Sequence, residues 1–499
     1  MYVTAEDAKP RVKSLVIATV LAMVVLTLFP ASAEGTHRGY LTSADPLIEL
    51  DSAVSSGGRV IPIINSGDVL GDFTFEGLPD GIGIAPNRTR NSVDVYVAHE
   101  QTTVPFFGSA DFQDASISKL TLSTSRQNLG AVLDSSVALG PEDGYLRFCS
   151  AFMASTADGF SNYTFFTGEE ANDIVDVPAG APYGPDPSLA PQRQAGYVVA
   201  HDTVTVGGHW PGVAMLTTDD TFSAPSSQLY LYTAASGDAV LADEGALYAF
   251  QVTATEAGPV DPADPFNNAN DYLDLAPGET WQGRFIEVPR EIALGTTDLA
   301  PQAALEEWSN ANNVFQFIRL EDLATDKHNP SIVYVADTGA TRVVPSDATG
   351  RMLRGPSGTV GFADNGRIFK FEFDPYDPTT VTGFSVLAQG DDPTADLYVP
   401  FVNPDNLDTS KKSIMVQEDA DNARIWQHRL SSGTWRVVAH VTDPDGESSG
   451  VVDASAWFGP GWWLLDVQAH GSNQSEEQVG DVLLKRENGQ LLLIKIPGS

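Results

Sequence analysis

The sequence predicts an all-β protein, a six-bladed β-propeller with long loop insertions and one short helix. Three observations carry that expectation. Helical periodicity is scarce, while short β-branched and aromatic runs separated by Gly, Pro, Asp and Asn recur, among them "LYLYTA", "ALYAFQV", "RIFKFEF", "WRVVAHV" and "LLLIKI". Six apolar runs close on acid or histidine: "VDVYVAHE" at Glu100, "NYTFFTGEE" at Glu169 and Glu170, "VAMLTTDD" at Asp219 and Asp220, "SIVYVADT" at Asp337, "KSIMVQED" at Glu418 and Asp419, and "GWWLLDVQAH" past Asp466 to His470. Three of these runs precede a return strand, as in "DDTFSAPSSQLYLYTA", "ADNGRIFKFEF" and "EDADNARIWQHRL". Strand, turn and return strand are the parts of a propeller blade. A pair of two-sheet sandwich domains is the alternative.

Taken in order, residues 1–33 read as a secretory signal peptide. Lys9, Arg11 and Lys13 precede the apolar run "LVIATVLAMVVLTLF", and Ala31-Ser32-Ala33 supplies small residues for cleavage. The run is short for a spanning helix, so no stable membrane insertion is expected after cleavage; an uncleaved membrane anchor is the alternative. The expected product is a single propeller domain, residues 34–499, secreted or periplasmic. No twin arginine precedes the apolar run, which implies export before folding.

Removing that segment takes away three basic and two acidic residues, so a net charge of −38 becomes −39. Such a field disfavours nucleic acid and anionic membranes and attracts divalent cations. Most of the carboxylates simply solvate the surface. Cys149 is the single cysteine, so no intramolecular disulfide forms despite the export signal. It is either buried as a small hydrophobe or holds a metal.

The wide gaps between runs hold Pro-rich acidic stretches that read as surface loops, "DVPAGAPYGPDPSLAPQRQ" and "EAGPVDPADPFNNANDYLDLAPGE". The one helix is "LAPQAALEEWSNANN", with Asp298 as N-cap and Pro301 in its first turn. If the acid-ended runs are the innermost strands, their ends converge on the central channel from distant sequence positions. Converging carboxylates raise one another's pKa unless cations sit among them. Calcium held by oxygen is the natural expectation.

The order of several fragments along roughly 400 residues resembles the PhoX-type alkaline phosphatases, secreted six-bladed propellers. "FVNPDNLDTSKKSIMVQEDADNARIW" carries the most specific match, and "VYVAHE", "FCSAFMASTADGFSNYTFFTGEE", "YVVAHDTVTV" and "FQFIRLED" follow the family's order. The resemblance implies a calcium and ferric iron cluster that hydrolyses small-molecule phosphate esters in a monomeric protein. It implies Cys149 as an iron-bound thiolate, Glu321 as an iron-linked carboxylate and Arg319 as the group gripping the phosphate. Asp202, Glu100, Glu169, Glu170 and Glu418 would complete the metal ligands. His99 and His201 would orient neighbouring carboxylates. The chain departs from the family where its second cysteine is Gly168 and where Asp202 replaces glutamate.

A dianionic phosphate monoester needs cations to bind it and spread charge developing at phosphorus. Arginine supplies a matching fork. Each residue also has a plainer reading: Arg319 with Glu321 as a cross-strand ion pair, and Glu418 with Asp419 as caps of a turn at Asn422. No His-Glu-x-x-His, Gly-x-Ser-x-Gly or P-loop motif occurs. Two competing functions remain at this level: a non-catalytic calcium-stabilised binding propeller, and a calcium-only propeller hydrolase acting on lactones or phosphotriesters.

Overall fold

The computed structural model describes residues 2–4, 39–100, 115–140, 145, 147–168, 202–219, 227–264, 267, 269–293, 301–339, 364–479 and 482–499. Within the expected signal segment, Tyr2–Thr4 forms a short strand antiparallel to Thr164–Phe166. Among the described residues no helix is long and apolar enough to cross a membrane.

Six antiparallel units follow one another. The first runs Pro79–Pro86, Ser92–His99, Ser116–Ser123, Val132–Leu139, and the second contains Phe152–Ala154 and Thr164–Phe166. The third is Thr203–Thr205, Val213–Thr218, Leu229–Ala234, Ala246–Thr255, and the fourth Leu320–Thr325, Ile332–Asp337, Arg367–Asp374, Asp377–Gln389. Pro404–Thr409, Ser413–Glu418, Arg424–Arg429 and Thr434–Val441 make the fifth. Glu447–Asp453, Trp462–Val479 and Val482–Lys495 make the sixth, which Arg59–Asn65 completes from the other end of the chain. The first strand of each unit neighbours the first strand of the next, and the sixth neighbours the first. The ring closes, so the units are propeller blades around a channel.

Each junction between blades has its own apolar cluster. Ile82, Val93, Val95 and Val97 of the first blade meet Leu464 and Leu491 of the sixth. Tyr96 and Ala98, on the other face of the same strand, meet Phe148 and Phe165 on the second-blade side. Ile414 and Val416 face the fourth blade while Met415 faces the sixth. A nest of phenylalanines, including Phe250, Phe317, Phe369, Phe371 and Phe384, joins the third and fourth.

This packing corrects one expectation. The acid-ended apolar runs are not the innermost strands but the second strand of each blade. A second strand is clamped by neighbouring blades on both faces and must be apolar throughout; every residue of Ser92–His99 and Ser413–Glu418 is buried. An innermost strand turns one face to the channel and can be short and polar, as "PDNLDT" is at Pro404–Thr409. The hairpin still sets the tip of the second strand beside the start of the first, pairing Pro79 with His99, Leu320 with Asp337, Pro404 with Glu418 and Glu447 with Gln468. The acids therefore gather at one end of the channel by a different route.

Carboxylates also stitch the innermost strands together. These strands do not pair with one another, so N–H groups turned toward a neighbour need other acceptors. Asp202 Oδ2 accepts from Leu323 N at 3.2 Å, Asp322 Oδ2 from Leu407 N at 2.6 Å, and Asp408 Oδ2 from Asp453 N at 2.7 Å. Asp80 Oδ1 accepts from Ser449 Oγ at 2.6 Å across the sixth and first blades.

The stretch 256–279, expected to lie on the surface, is partly core: Tyr272 and Leu275 are fully buried. It leads into Thr280–Glu287, which lies between the outer strands of the third and fourth blades and fuses them into one sheet. The alternation of exposed and buried residues from Thr280 to Phe285 suits that outer position. The predicted helix is present as Pro301–Ala311; Leu305 packs with Tyr230, Leu247 and Val288. Asp298 lies outside the described residues.

Candidate metal centre

Three ligand-bearing side chains meet at the mouth between the first, second and sixth blades. One carboxylate oxygen each of Asp80 and Glu100 and the Cys149 sulfur all lie within 4.8 Å of one another. Asp80 is the second residue of the innermost strand of the first blade. Glu100 follows the tip of the second strand, fixed by its N–H bond to Leu78 O at 2.9 Å. Cys149 precedes the innermost strand of the second blade and is buried. Gly81 N donates to Cys149 O at 3.1 Å, which docks the cysteine segment onto the first blade. A side chain at Gly81 would place its Cβ 2.2 Å from the Ser150 carbonyl carbon, so glycine is required for that approach.

The sixth blade completes the surroundings. Gln468 Nε2 lies 3.2 Å from both Asp80 Oδ2 and Glu100 Oε2, bridging the two acids. Arg147 donates to Glu100 Oε1 from Nε at 3.1 Å and from Nη2 at 2.5 Å. Two residues before Gln468 on the same strand face stands Asp466. It is fully buried, and neither carboxylate oxygen has a hydrogen-bond partner among the described residues. Burial, then the charge of Asp80, holds its pKa well above the usual carboxylate range. Glu447 is likewise raised, by burial first and then by Asp419, Asp405 and Glu100. A buried acid without a partner is costly, and a cation removes that cost.

The donor set suits a metal. Ligand atoms around one ion stand about 2.0–2.3 Å from it, so atoms within 4.8 Å of each other can share one with small side-chain shifts. Two carboxylates with a thiol have the donor chemistry of a transition-metal site rather than of calcium alone. Glu447, Asp405 and Asp419 feel one another's charge near the same mouth.

The remaining expected ligands are not part of that three-residue group. Glu321 is buried and paired with Arg319, Nη2 to Oε1 at 2.7 Å. Asp202 adjoins Asp322, whose pKa is raised by burial and then by Asp202 itself. Glu418 is fully engaged: Oε1 accepts from Val402 N, Trp426 Nε1 and Arg424 Nη2, and Oε2 from Arg424 N and Nε. His99 turns away from Glu100, its Nε2 2.8 Å from Ser118 Oγ and its Nδ1 3.1 Å from Gly77 O, with burial lowering its pKa. Glu169, Glu170 and His201 lie outside the described residues. Sequence reasoning missed Asp80, Arg147 and Gln468. Asp80 sits in "LPDGIG", which reads as a turn, and no local signal marks the other two.

No family model matches the chain, and no curated protein matches it. Among solved structures, the chain is similar to an α-L-arabinofuranosidase of Podospora anserina in complex with cellotriose, with 8% identity and a TM-score of 0.28 over 88% of this chain and 96% of that one. It is similar to a GH43 endo-arabinanase of Bacillus licheniformis, with 11% identity and a TM-score of 0.26 over 86% and 96%. A GH93 α-L-arabinofuranosidase of Fusarium graminearum shares 8% identity with a TM-score of 0.30 over 87% and 97%. At these values the functional reading rests on the site itself.

Proposed function

We propose that this chain is an exported, metal-dependent hydrolase of phosphate esters whose metal is held by Asp80, Glu100 and Cys149. The observation that carries the reading is the meeting of a thiol and two carboxylates from two blades within 4.8 Å, in a chain with a single cysteine. The buried Asp466, which feels the charge of Asp80 and whose carboxylate has no hydrogen-bond partner among the described residues, supports it, because a buried acid gains from a nearby cation. A bound transition metal would act as Lewis acid on a phosphoryl oxygen. Arg147, seated on Glu100, places a guanidinium at the same mouth, where it can grip an anionic substrate. Calcium among Glu447, Asp405 and Asp419 would balance further acids.

Metal analysis of the purified full-length chain, joined to phosphate release from a monoester, tests the reading. Iron near one equivalent with turnover supports it. Calcium alone with turnover of a lactone or phosphotriester favours the calcium-only hydrolase. Calcium without any turnover favours a binding propeller.

A further inference from the structure

Gln468 meets both carboxylates of the Cys149 group from the sixth blade. One oxygen of each acid is held by another neighbour: Asp80 Oδ1 accepts from Ser449 Oγ at 2.6 Å, and Glu100 Oε1 accepts from Arg147. The second oxygens, Asp80 Oδ2 and Glu100 Oε2, face one and the same amide, with Gln468 Nε2 3.2 Å from each. That distance is long for an N–H group meeting an oxygen, where about 2.9–3.0 Å is usual. It matches the spacing of adjacent ligand atoms around one ion, since donors about 2.0–2.2 Å from a metal stand about 3 Å from their neighbours in its shell. The other end of the amide is idle. Gln468 is fully buried, and its Oε1 has no hydrogen-bond partner among the described residues. Amide oxygen and nitrogen are nearly the same size, so a half-turn of the amide exchanges them within the same space. The turn gives up two long bonds and sets an acceptor oxygen beside two carboxylates, an exchange that only a cation makes favourable. The backbone need not move, because Gln468 lies inside the sixth blade's second strand, paired with Glu447 on one side and Gly489 on the other.

We propose that Gln468 is a further ligand, through its amide oxygen, of the metal held by Asp80, Glu100 and Cys149, so that the sixth blade contributes to the coordination shell. The proposal rests on that three-residue centre. Without metal the amide satisfies both acids through its NH2 group; with metal it turns and presents Oε1. A neutral oxygen suits this place, because two carboxylates and a thiolate already balance a trivalent ion, and a further acid would overcharge the empty site.

The test uses the full-length chain stripped of metal and titrated with cobalt(II), whose absorption bands report its ligands, in competition with a chelator. Thermal unfolding is followed with and without cobalt. Gln468→Leu, close in shape but without donor or acceptor, should bind cobalt about tenfold or more weakly and with altered bands. Gln468→Glu keeps an oxygen and loses the NH2 group. It should bind cobalt no more weakly than the parent, yet melt several degrees lower without metal, because three acids then crowd one mouth. Parental affinity and bands in Gln468→Leu overturn the proposal and leave the three-residue centre standing. A Gln468→Glu chain that binds cobalt about tenfold more weakly than the parent also overturns it, since the amide then serves through its N–H groups; this comparison decides the matter if Gln468→Leu does not fold. A parent that binds no cobalt overturns the three-residue centre and this inference with it.

Discussion

Arg147 holds Glu100 through two guanidinium nitrogens, at 3.1 and 2.5 Å, from a position two residues before Cys149. One short segment thus delivers both a cation and a thiol to the same carboxylate. Arg319, the arginine singled out from sequence, is tied instead to buried Glu321 and its own backbone N–H to Asp337 Oδ1 at 3.1 Å. Arg147→Ala is therefore expected to damage turnover of a phosphate ester more than Arg319→Ala does. Losing a bidentate charged contact costs on the order of 2–4 kcal/mol in kcat/KM. Steady-state kinetics per folded molecule for both variants decide it; equal or reversed losses return the substrate grip to Arg319.

Glu418 accepts five hydrogen bonds, three of them from Arg424. Both oxygens are committed to tying "PFVN" to the fifth blade's hairpin. Glu418→Ala should cost about 3–5 kcal/mol of stability, the usual consequence of stripping one partner from a buried ion pair. Metal content per folded molecule should not change. Loss of a metal equivalent at unchanged stability would make Glu418 a ligand after all.

The contrast between these residues shows what is legible from sequence. The second strand of each blade announces itself because both faces are buried, so "SVDVYVAH" and "SIMVQE" are apolar from end to end. The innermost strands do not, since "PDNLDT" and the three-residue Thr203–Thr205 look like turns. The channel lining, where Asp80, Asp322, Asp408 and Glu447 stand, is thus the least visible part of the chain. Acid at a strand tip points to the end of the channel where Asp80, Glu100 and Cys149 meet. Whether a tip acid faces the channel or its own hairpin depends on the partner that the return strand brings, as Arg424 shows for Glu418. Gln468 meets Asp80 from the far end of the chain, and only ring closure makes them neighbours.

Asp337 provides a pH test on metal-free protein. Burial outweighs bonds from Ile318, Arg319 and Gly339 N–H groups and the charge of Arg367, pushing its pKa up from 3.8 to about 7. The unfolded chain releases this proton first, so it binds fewer protons than the folded chain between those values. Stability contributed by the protonated group is therefore present at low pH and lost as pH rises toward about 7, by up to about 4 kcal/mol. Asp337→Asn removes the titration. Its stability relative to the parent should climb between pH 5 and pH 8, measured by denaturant unfolding at each pH. A difference that stays constant across that range would mean the folded-state pKa is ordinary.

Cys149 separates a transition-metal centre from a calcium propeller. Its sulfur shares a 4.8 Å neighbourhood with Asp80 and Glu100, and Gly81 fixes its backbone from the adjacent blade. Calcium does not select a thiolate, whereas ferric iron bound to one gives a visible charge-transfer absorption. Purified parent protein is expected to be coloured. Cys149→Ser should be colourless, depleted in iron and nearly inactive, yet close to the parent in melting temperature once calcium is supplied, because a buried thiol-to-hydroxyl change costs little beyond one polar group. Asp80→Asn should weaken the same absorption, and it should also disturb the link to Ser449. A change at Glu321, which pairs with Arg319 and is not part of the thiol group, should leave the absorption in place. Absorption spectra and iron content of the four proteins at equal concentration make the comparison. A colourless parent with full activity would remove iron from the centre and leave Cys149 as a packed thiol. A coloured parent whose absorption survives Cys149→Ser would move the iron elsewhere in the channel, and Glu321 with Asp202 would then be the first residues to change.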